Sequence, residues 1–285
     1  MSRKRKTFYY TFVVFSAGEY QIGSHLDEPD RKKDEVRHPV KLTRPFALLD
    51  REITMEELIA FDNANSYAFW MKDDERKPTD AGYAVDWYDS VGFCRWLSTQ
   101  RGLEESEQAY VDPESLDAKE YPREPNPVAN WAPRDWPLEL DRRGFRLPTE
   151  SEWEIATRAN SRTPYGFGGE SALLKHFGWF TDNSGNHVHT PKELRPSISG
   201  LYDMHGNLLE WTHHWFSEFA ESLVADPRVN TRGSSRVYRG GSWSGPAANC
   251  RTASRGTSAP PYRGSGTGFR LALSPSVKHE QSKVE

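Results

Sequence analysis

The sequence predicts a single α+β domain with little regular secondary structure. Its 285 residues include 10 Trp, 12 Tyr and 14 Phe together with 21 Gly and 19 Pro. Aromatic side chains bury large areas and can fill a core with few regular elements around it, while glycine and proline set the turns. Helical spacing of apolar residues is confined to a few short stretches. This combination favours short strands and long structured loops, in a chain long enough to bury a substantial core.

Three helices are predicted from the spacing of apolar residues and from capping signals. Thr54 with Glu57, and Thr149 with Glu152, stand at the spacing of a capping box before an apolar run. Another apolar pattern stops before Gly102. We interpret all three helices as scaffold, and they span about residues 55–64, 86–100 and 149–159.

The two ends of the chain and one internal stretch differ from the rest in composition. Residues 8–15, FYYTFVVF, follow a basic cluster as a truncated signal peptide would, but they lack a small-residue cleavage site and are predicted to be the first strand. Residues 1–12 are assigned to a tail and the start of that strand, and residues 274–285 to a disordered tail. Residues 102–143 lose periodicity and gain proline, which predicts a loop-rich insertion within a domain at 13–273.

Charge and cysteine content exclude several classes of function. The formal net charge is -4, so nucleic acid is not expected as a partner. The basic residues 3–6 are interpreted as a solvated tail. No apolar stretch approaches the roughly 20 residues that cross a bilayer, so we expect a soluble chain with no membrane partner. The two cysteines, Cys94 and Cys250, make no disulfide framework, and a cytoplasmic location is the default expectation.

Three long segments resemble the formylglycine-generating enzyme (sulfatase-modifying factor) family, in the order in which that family has them. They are GFRLPTESEWEIA from Gly144, GLYDMHGNLLEWT from Gly200, and the stretch from RVYRGGSW at Arg236 to GFRLAL ending at Leu273. Weaker matches extend the resemblance over roughly residues 13–273. It implies the family's C-type lectin-like fold, with a small twisted antiparallel sheet near the C-terminal motifs.

The resemblance implies a cysteine-dependent chemistry that this chain does not fully match. Enzymes of the family oxidise a substrate cysteine to formylglycine with two copper-binding cysteines near RGGSW, and two thiolates at short range suit Cu(I). Here Gly245 or a neighbour holds the first cysteine's place, and only Cys250 follows. Cys250 is kept as the candidate catalytic residue beside the alternative of a buried small hydrophobe on a strand, and Cys94 is interpreted as structural. Copper and the formylglycine reaction are not expected.

Two other metals are considered from the resemblance. Family members with a structural calcium imply ligands at Asp203, Gly206, Leu208 and Glu210, with oxygens supplied by side chains and carbonyls. The alternative is that the two acidic side chains accept backbone hydrogen bonds that fix the turn.

The related non-haem iron sulfoxide synthases need three clustered ligands. The chain offers His187 with His189 and His213 with His214, and no third ligand is evident. We therefore interpret these histidines as surface or hydrogen-bonded side chains.

Five arginines inside the motifs are predicted to be partly buried and to pair with glutamates, holding loops to strands. A minority of them could instead face a carboxylate or phosphate ligand. The arginines are Arg146, Arg239, Arg251, Arg255 and Arg270, and the glutamates are Glu150, Glu152, Glu154 and Glu210.

The loops at residues 244–267 are the predicted recognition surface. Some members of the resembled family are binding proteins with variable residues in this C-terminal region, and loops on a rigid scaffold commonly carry recognition. One hypothesis is a binding or accessory domain for a protein or small-molecule ligand; the other is an oxidoreductase acting on a cysteine-containing peptide or small metabolite. The missing second thiol favours the binding hypothesis. The fold alone cannot decide between the two hypotheses. The predicted ligand-binding residues are Trp243, Ser244, Asn249, Arg251, Arg255 and Tyr262.

Overall fold

The computed structural model describes residues 7–65, 77–115, 135–219, 222–227 and 232–275. These residues form a mixed α and β arrangement with short elements and long loops, which confirms the predicted fold class. The helices are α1 (Met55–Asn65), α2 (Trp87–Gln100) and α3 (Glu150–Arg158). The strands are β1 (Phe12–Phe15), β2 (Gly18–Ile22), β3 (His38–Leu42), β4 (Phe46–Leu49), β5 (Leu209–Trp215), β6 (Val224–Ala225), β7 (Arg236–Arg239), β8 (Gly256–Ser258), β9 (Thr267–Gly268) and β10 (Ala272–Leu273).

The three helices were predicted correctly, and each end lies within one residue of the prediction. Helix α3 begins with a complete capping box, in which the Thr149 hydroxyl accepts from the Glu152 N–H at 3.2 Å and the Glu152 carboxylate accepts from the Thr149 N–H at 2.8 Å. At α1 the Thr54 hydroxyl instead donates to the Glu57 carboxylate at 2.8 Å. Local capping residues therefore position these helices. No described helix has the length and apolar character needed to span a bilayer.

The strands form three small sheets. One has the order β1-β4-β10, a second β2-β3-β6, and a third of four strands β8-β7-β5-β9. In the third sheet β5, β7 and β8 are antiparallel as predicted, whereas β9 joins β5 in parallel. The first strand is shorter than predicted, because β1 begins at Phe12 and not at residue 8.

Buried tryptophans fill the core between the helices and the third sheet. Trp87, Trp153 and Trp211 are fully buried. The indole N–H of Trp87 donates to the Thr212 carbonyl at 3.0 Å, and that of Trp153 donates to the Glu210 carboxylate at 2.8 Å. Because a buried indole N–H needs an acceptor, each tryptophan contributes a fixed contact as well as apolar area.

Buried ion pairs attach the C-terminal motifs to α3 and to the N-terminal part of the chain. Four of the five arginines pair with the predicted glutamates, and Arg251 pairs instead with Glu28 and Glu35, from the loop at residues 24–37. The predicted pairs are Arg146 with Glu152, Arg239 with Glu154, Arg255 with Glu150, and Arg270 with Glu210. Charge-assisted hydrogen bonds of this kind are strong, so they hold the C-terminal loops against α3 and against the loop at 24–37.

Part of the predicted insertion is described. It contains short 3-10 helices at Glu105–Glu107 and Pro113–Ser115, and a bridge joins Tyr110 to Leu138. Residues 116–134 of the insertion, most of the predicted C-terminal tail and the first six residues lie outside the described residues.

Candidate functional site

The glycines that follow β7 bend the chain back over the next loop. Gly240 and Gly241 have φ angles of 99° and 78°, a region that favours glycine. A Cβ on Gly241 would lie 2.6 Å from the Sγ of Cys250. The RGGSW motif therefore allows close contact between this turn and the short 3-10 helix Ala247–Cys250.

A groove of about 160 Å³ opens between this turn and the following loop. We call it the C-terminal groove. Its lining includes Lys32, Tyr238, Asn249, Ser254 and the turn at residues 240–242. Lys32 comes from the loop at 24–37, whereas every other lining residue lies at or after Leu209 in the sequence. Burial, followed by the nearby Tyr262, raises the pKa of the Tyr238 hydroxyl.

Cys250 does not line the C-terminal groove. It ends the 3-10 helix, is fully buried, and its thiol donates to the Pro246 carbonyl at 3.8 Å. Burial raises the pKa of the Cys250 thiol to about 12. The prediction that Cys250 is a buried small hydrophobic residue is confirmed, but the prediction that it lies on a strand is wrong. A thiol with a raised pKa is a poor nucleophile, so this geometry does not support the candidate catalytic role.

Cys94 lies in a different part of the core. It is buried on α2 in the apolar cluster that includes α1, whereas Cys250 packs with Tyr165 and Leu174 in another cluster. Burial also raises the pKa of the Cys94 thiol. Both cysteines are free, and they do not form a pair.

The other predicted ligand-binding residues divide into exposed and buried groups. Ser244 and Asn249 are exposed, Tyr262 is 47% exposed, and Trp243 is half-buried with its indole N–H donating to the Ser265 carbonyl at 3.2 Å. Of the exposed residues Asn249 lines the groove, and the others lie on the loops around it.

Arg251 and Arg255 are buried, and their guanidinium groups are engaged within the protein. Arg255 donates to both oxygens of Glu150, at 2.6 and 2.9 Å, and to two backbone carbonyls. Arg251 donates to Glu28 and Glu35 at 2.6 to 2.8 Å. These side chains hold the loops in place. Arg255 also lines the C-terminal groove, and ligand contact by the two arginines stays a prediction.

The turn that precedes β5 buries the two acidic side chains considered for calcium. Both oxygens of Glu210 accept from Arg270, at 2.6 and 2.7 Å, and one also accepts from Trp153. One oxygen of Asp203 accepts from the Lys192 backbone N–H at 2.9 Å, and its other oxygen is buried with no partner among the described residues. Burial raises the pKa of Asp203 to about 6.

Glu52 completes this cluster and was not found from the sequence. Its carboxylate accepts from the Asn207 side chain at 2.7 Å and from the Leu208 N–H at 3.1 Å. Burial, followed by Asp203 and Glu210, raises its pKa well above the ordinary value. The available signal was an acidic residue directly before Ile53 and three positions after Leu49, where the apolar strand β4 ends.

Three of the four side-chain oxygens of Asp203 and Glu210 are engaged by protein groups. Calcium binds six to eight oxygens, whereas both Glu210 oxygens are held by Arg270, and one side-chain oxygen, on Asp203, is left unengaged. Across the described ranges no three His, Cys, Asp or Glu side chains are placed to hold a metal together. The Arg270 guanidinium supplies the positive charge opposite Glu210, and calcium binding here stays a prediction.

The histidine pairs are hydrogen-bonded or packed. The ring nitrogens of His189 lie 2.7 Å from the Ser184 carbonyl and 3.0 Å from Glu193, and its ring stacks on Trp179. Burial lowers the pKa of His214 to about 4. His187 and His189 are hydrogen-bonded, as interpreted from the sequence, whereas His214 is buried and not at the surface.

The fold and the groove together define an α+β domain that presents C-terminal loops on a scaffold held by buried ion pairs. The model of the sulfatase-modifying factor enzyme 1-like domain matches residues 1–275. The chain therefore belongs to the sulfatase-modifying factor family, which includes the formylglycine-generating enzymes.

Among curated proteins, the formylglycine-generating enzyme of Streptomyces coelicolor is 29% identical, over 91% of this chain and 88% of that protein. The formylglycine-generating enzyme of Bos taurus is 30% identical, over 91% of this chain and 74% of that protein.

Among solved structures, Treponema denticola variable protein 1 is similar with a TM-score of 0.76 and 30% identity, covering 93% of this chain and 95% of that chain. PvdO from Pseudomonas aeruginosa has a TM-score of 0.71 at 23% identity, covering 93% and 94% of the two chains. The likeness to PvdO shows the fold alone.

Proposed function

We propose that this chain is a binding or accessory domain of its family, which engages a protein or small-molecule ligand through the loops at 244–267 and the C-terminal groove. In this proposal it is not a copper-dependent formylglycine oxidase. The observation that carries the proposal is the burial and separation of the two cysteines, Cys94 and Cys250, in different apolar clusters.

The chemistry of Cu(I) supports this assignment. A soft ion is held well by two thiolates at short range, and the thiolate form is disfavoured at both positions because burial raises both thiol pKa values. The groove lining contains lysine, arginine, tyrosine, serine, asparagine and glycine, which are suited to hydrogen bonding and charge recognition.

Attachment of the loops to the rest of the fold also supports binding. Arg255 joins them to α3 through Glu150, and Arg251 joins them to the loop at 24–37. Recognition residues on a fixed scaffold lose little conformational freedom on binding. Both cysteines are free, which suits the proposed cytoplasmic location.

Copper loading tests the alternative, an oxidoreductase acting on a cysteine-containing peptide or a small metabolite. The relatives named formylglycine-generating enzymes favour that alternative. We expect no aldehyde product when the protein is loaded with Cu(I) and incubated with a cysteine peptide under oxygen. Turnover that is lost in Cys250→Ser would replace binding by oxidation as the function.

Site-specific crosslinking tests the binding surface. A photoreactive residue replaces Tyr262, which is 47% exposed, and a matched control replaces Leu173, which is 42% exposed and lies outside the loops. Crosslinking is performed in lysate of the source organism, and the captured molecule is then purified. We expect a specific product from position 262, with an affinity that falls at least about tenfold in Asn249→Glu and is unchanged in Leu173→Glu. Equal capture at both positions, or an affinity that ignores Asn249→Glu, would refute the proposal.

A further inference from the structure

The C-terminal groove is lined by cations and by no described acidic side chain. The cations are Lys32, Arg239 and Arg255. Lys32 is exposed, and its ammonium donates to the Arg255 carbonyl at 3.5 Å. Among the described residues no carboxylate lies within ion-pair distance of Lys32, so its charge faces the groove and solvent.

The charges beneath the groove do not cancel. Glu154 binds both Arg158 and Arg239, and Glu150 binds Arg255 while lying 3.5 Å from Arg239. Two carboxylates therefore face three guanidinium groups. Of the five acidic residues in the neighbouring loop at 24–37, Glu28 and Glu35 are engaged by Arg251, and none of the five lines the groove. A ligand entering the groove meets a positive potential from below in addition to the charge of Lys32.

The size of the groove limits what can enter. Its volume is about 160 Å³, whereas sites for drug-sized ligands enclose about 300–1,000 Å³. One functional group fits, with the remainder of the ligand lying outside over the loops at 244–267. Asn249 is exposed at the groove and can supply a neutral side-chain hydrogen bond.

We propose that the C-terminal groove binds one oxyanionic group of the ligand, a carboxylate, sulfate or phosphate, with Lys32 as its charged contact and Asn249 as a neutral donor. This anion site presupposes the binding function proposed above. Lysine provides a point charge on a flexible stem, which suits an oxyanion approaching from solvent without fixed bidentate geometry. Lys32 is a specificity residue of the groove, and the buried arginines contribute potential and no direct contact.

Anion titration of the intact protein tests the site. Backbone amide resonances are followed by nuclear magnetic resonance while sodium phosphate, sodium sulfate or sodium acetate replaces sodium chloride at constant ionic strength. We expect saturable shifts confined to residues 240–256 and the region of Lys32, and the anion with the strongest binding identifies the group. Lys32→Ala weakens that binding about three- to tenfold, and Lys32→Arg retains most of it.

Lys33 provides the matched control, since it is the adjacent exposed lysine and does not line the groove. Lys33→Ala is expected to bind the anions as the parent protein does. Equal weakening in Lys33→Ala, or the absence of saturable shifts with all three anions, overturns the anion site. If a captured ligand binds at the loops with an affinity that Lys32→Ala leaves unchanged, the anion site is wrong and the binding function stands. If the anions saturate the groove but position 262 captures nothing specific, the binding function fails and the anion site stands.

Discussion

The turn at residues 203–210 and the C-terminal groove differ in how their charged side chains are paired. In the turn, the Glu210 carboxylate is buried and accepts three hydrogen bonds, from Arg270 and Trp153. In the groove, Lys32 is exposed and no described carboxylate neutralises it. A buried charge with all its partners stabilises one conformation, whereas an exposed charge without a partner is available to a ligand. The comparison assigns the turn to the scaffold and the groove to recognition.

Removing Arg270 should have the largest effect on the turn. Arg270→Ala leaves Glu210, Glu52 and Asp203 buried together without their guanidinium partner, and a broken buried pair typically costs about 3–5 kcal/mol. Urea unfolding measures the free energy. The control is Arg143→Ala, which removes an exposed ion pair with Glu107 and should change stability by less than about 1 kcal/mol. Similar losses in the two variants would contradict a scaffold role for the turn.

A methyl group at Gly241 should disturb the wall of the groove. Gly241→Ala forces a Cβ to within 2.6 Å of the Cys250 Sγ at a φ of 78°, and we expect a loss of about 2–4 kcal/mol. Gly102 has the same φ of 78° but nothing lies within 4 Å of its added Cβ. Gly102→Ala should therefore cost only about 1–2 kcal/mol of backbone strain. Urea unfolding of both variants separates the clash from the strain, and equal losses would show that the contact with Cys250 is unimportant.

The pH dependence of stability should respond to Asp203. Burial raises its folded pKa to about 6, above the ordinary value of about 3.9. The side chain is mostly protonated in both states below about pH 3.9. Between about pH 3.9 and the folded pKa of about 6 the unfolded state loses its proton first, so stability falls as pH rises, and above about pH 6 the cost is constant. Asp203→Asn removes this cost and should stabilise the protein by about 1–3 kcal/mol at pH 8, with the gain vanishing near pH 4. Asparagine also tolerates the positive φ of 59° at this position.

A bound calcium ion would reverse the expected effect of Asp203→Asn on stability. If the turn binds calcium after all, Asp203→Asn removes a ligand and lowers Tm in millimolar calcium. In the parent protein, calcium at about 100 times its Kd would then add about 2.7 kcal/mol, a rise of roughly 5–10 °C. A chelator would reverse that rise. Thermal unfolding with calcium and with chelator therefore decides between the carboxylate cluster as described and a calcium site.

Local signals explain why much of the scaffold was predictable. Thr149 and Glu152 lie three residues apart and fix the start of α3 by themselves. The pairing of Arg146 with Glu152 spans six residues and lies within one motif. Sequence could also indicate that Cys94 belongs to an apolar helix face, because helical periodicity places it there.

The candidate site depends on contacts that sequence does not reveal. Arg251 pairs with Glu35 across 216 residues, and that pairing brings the loop carrying Lys32 against the C-terminal groove. A periodic pattern contains no information about which distant loop closes a groove. The same limit applies to Glu52, which meets Asn207 across 155 residues, and to the short 3-10 helix that replaces the expected strand at Cys250.

Substitutions in the groove itself should have the smallest effects on folding. Lys32→Ala and Asn249→Ala remove exposed side chains whose loss leaves no buried group unpaired, so each should change the free energy of unfolding by less than about 0.5 kcal/mol. Arg255→Ala, in the wall of the same groove, removes both hydrogen bonds to Glu150 and should cost about 3–5 kcal/mol. Urea unfolding of the three variants checks this division. A loss of several kcal/mol in Lys32→Ala would show that Lys32 supports the fold. Lys32 would then resemble the paired charges of the turn, and its assignment to ligand recognition would be wrong.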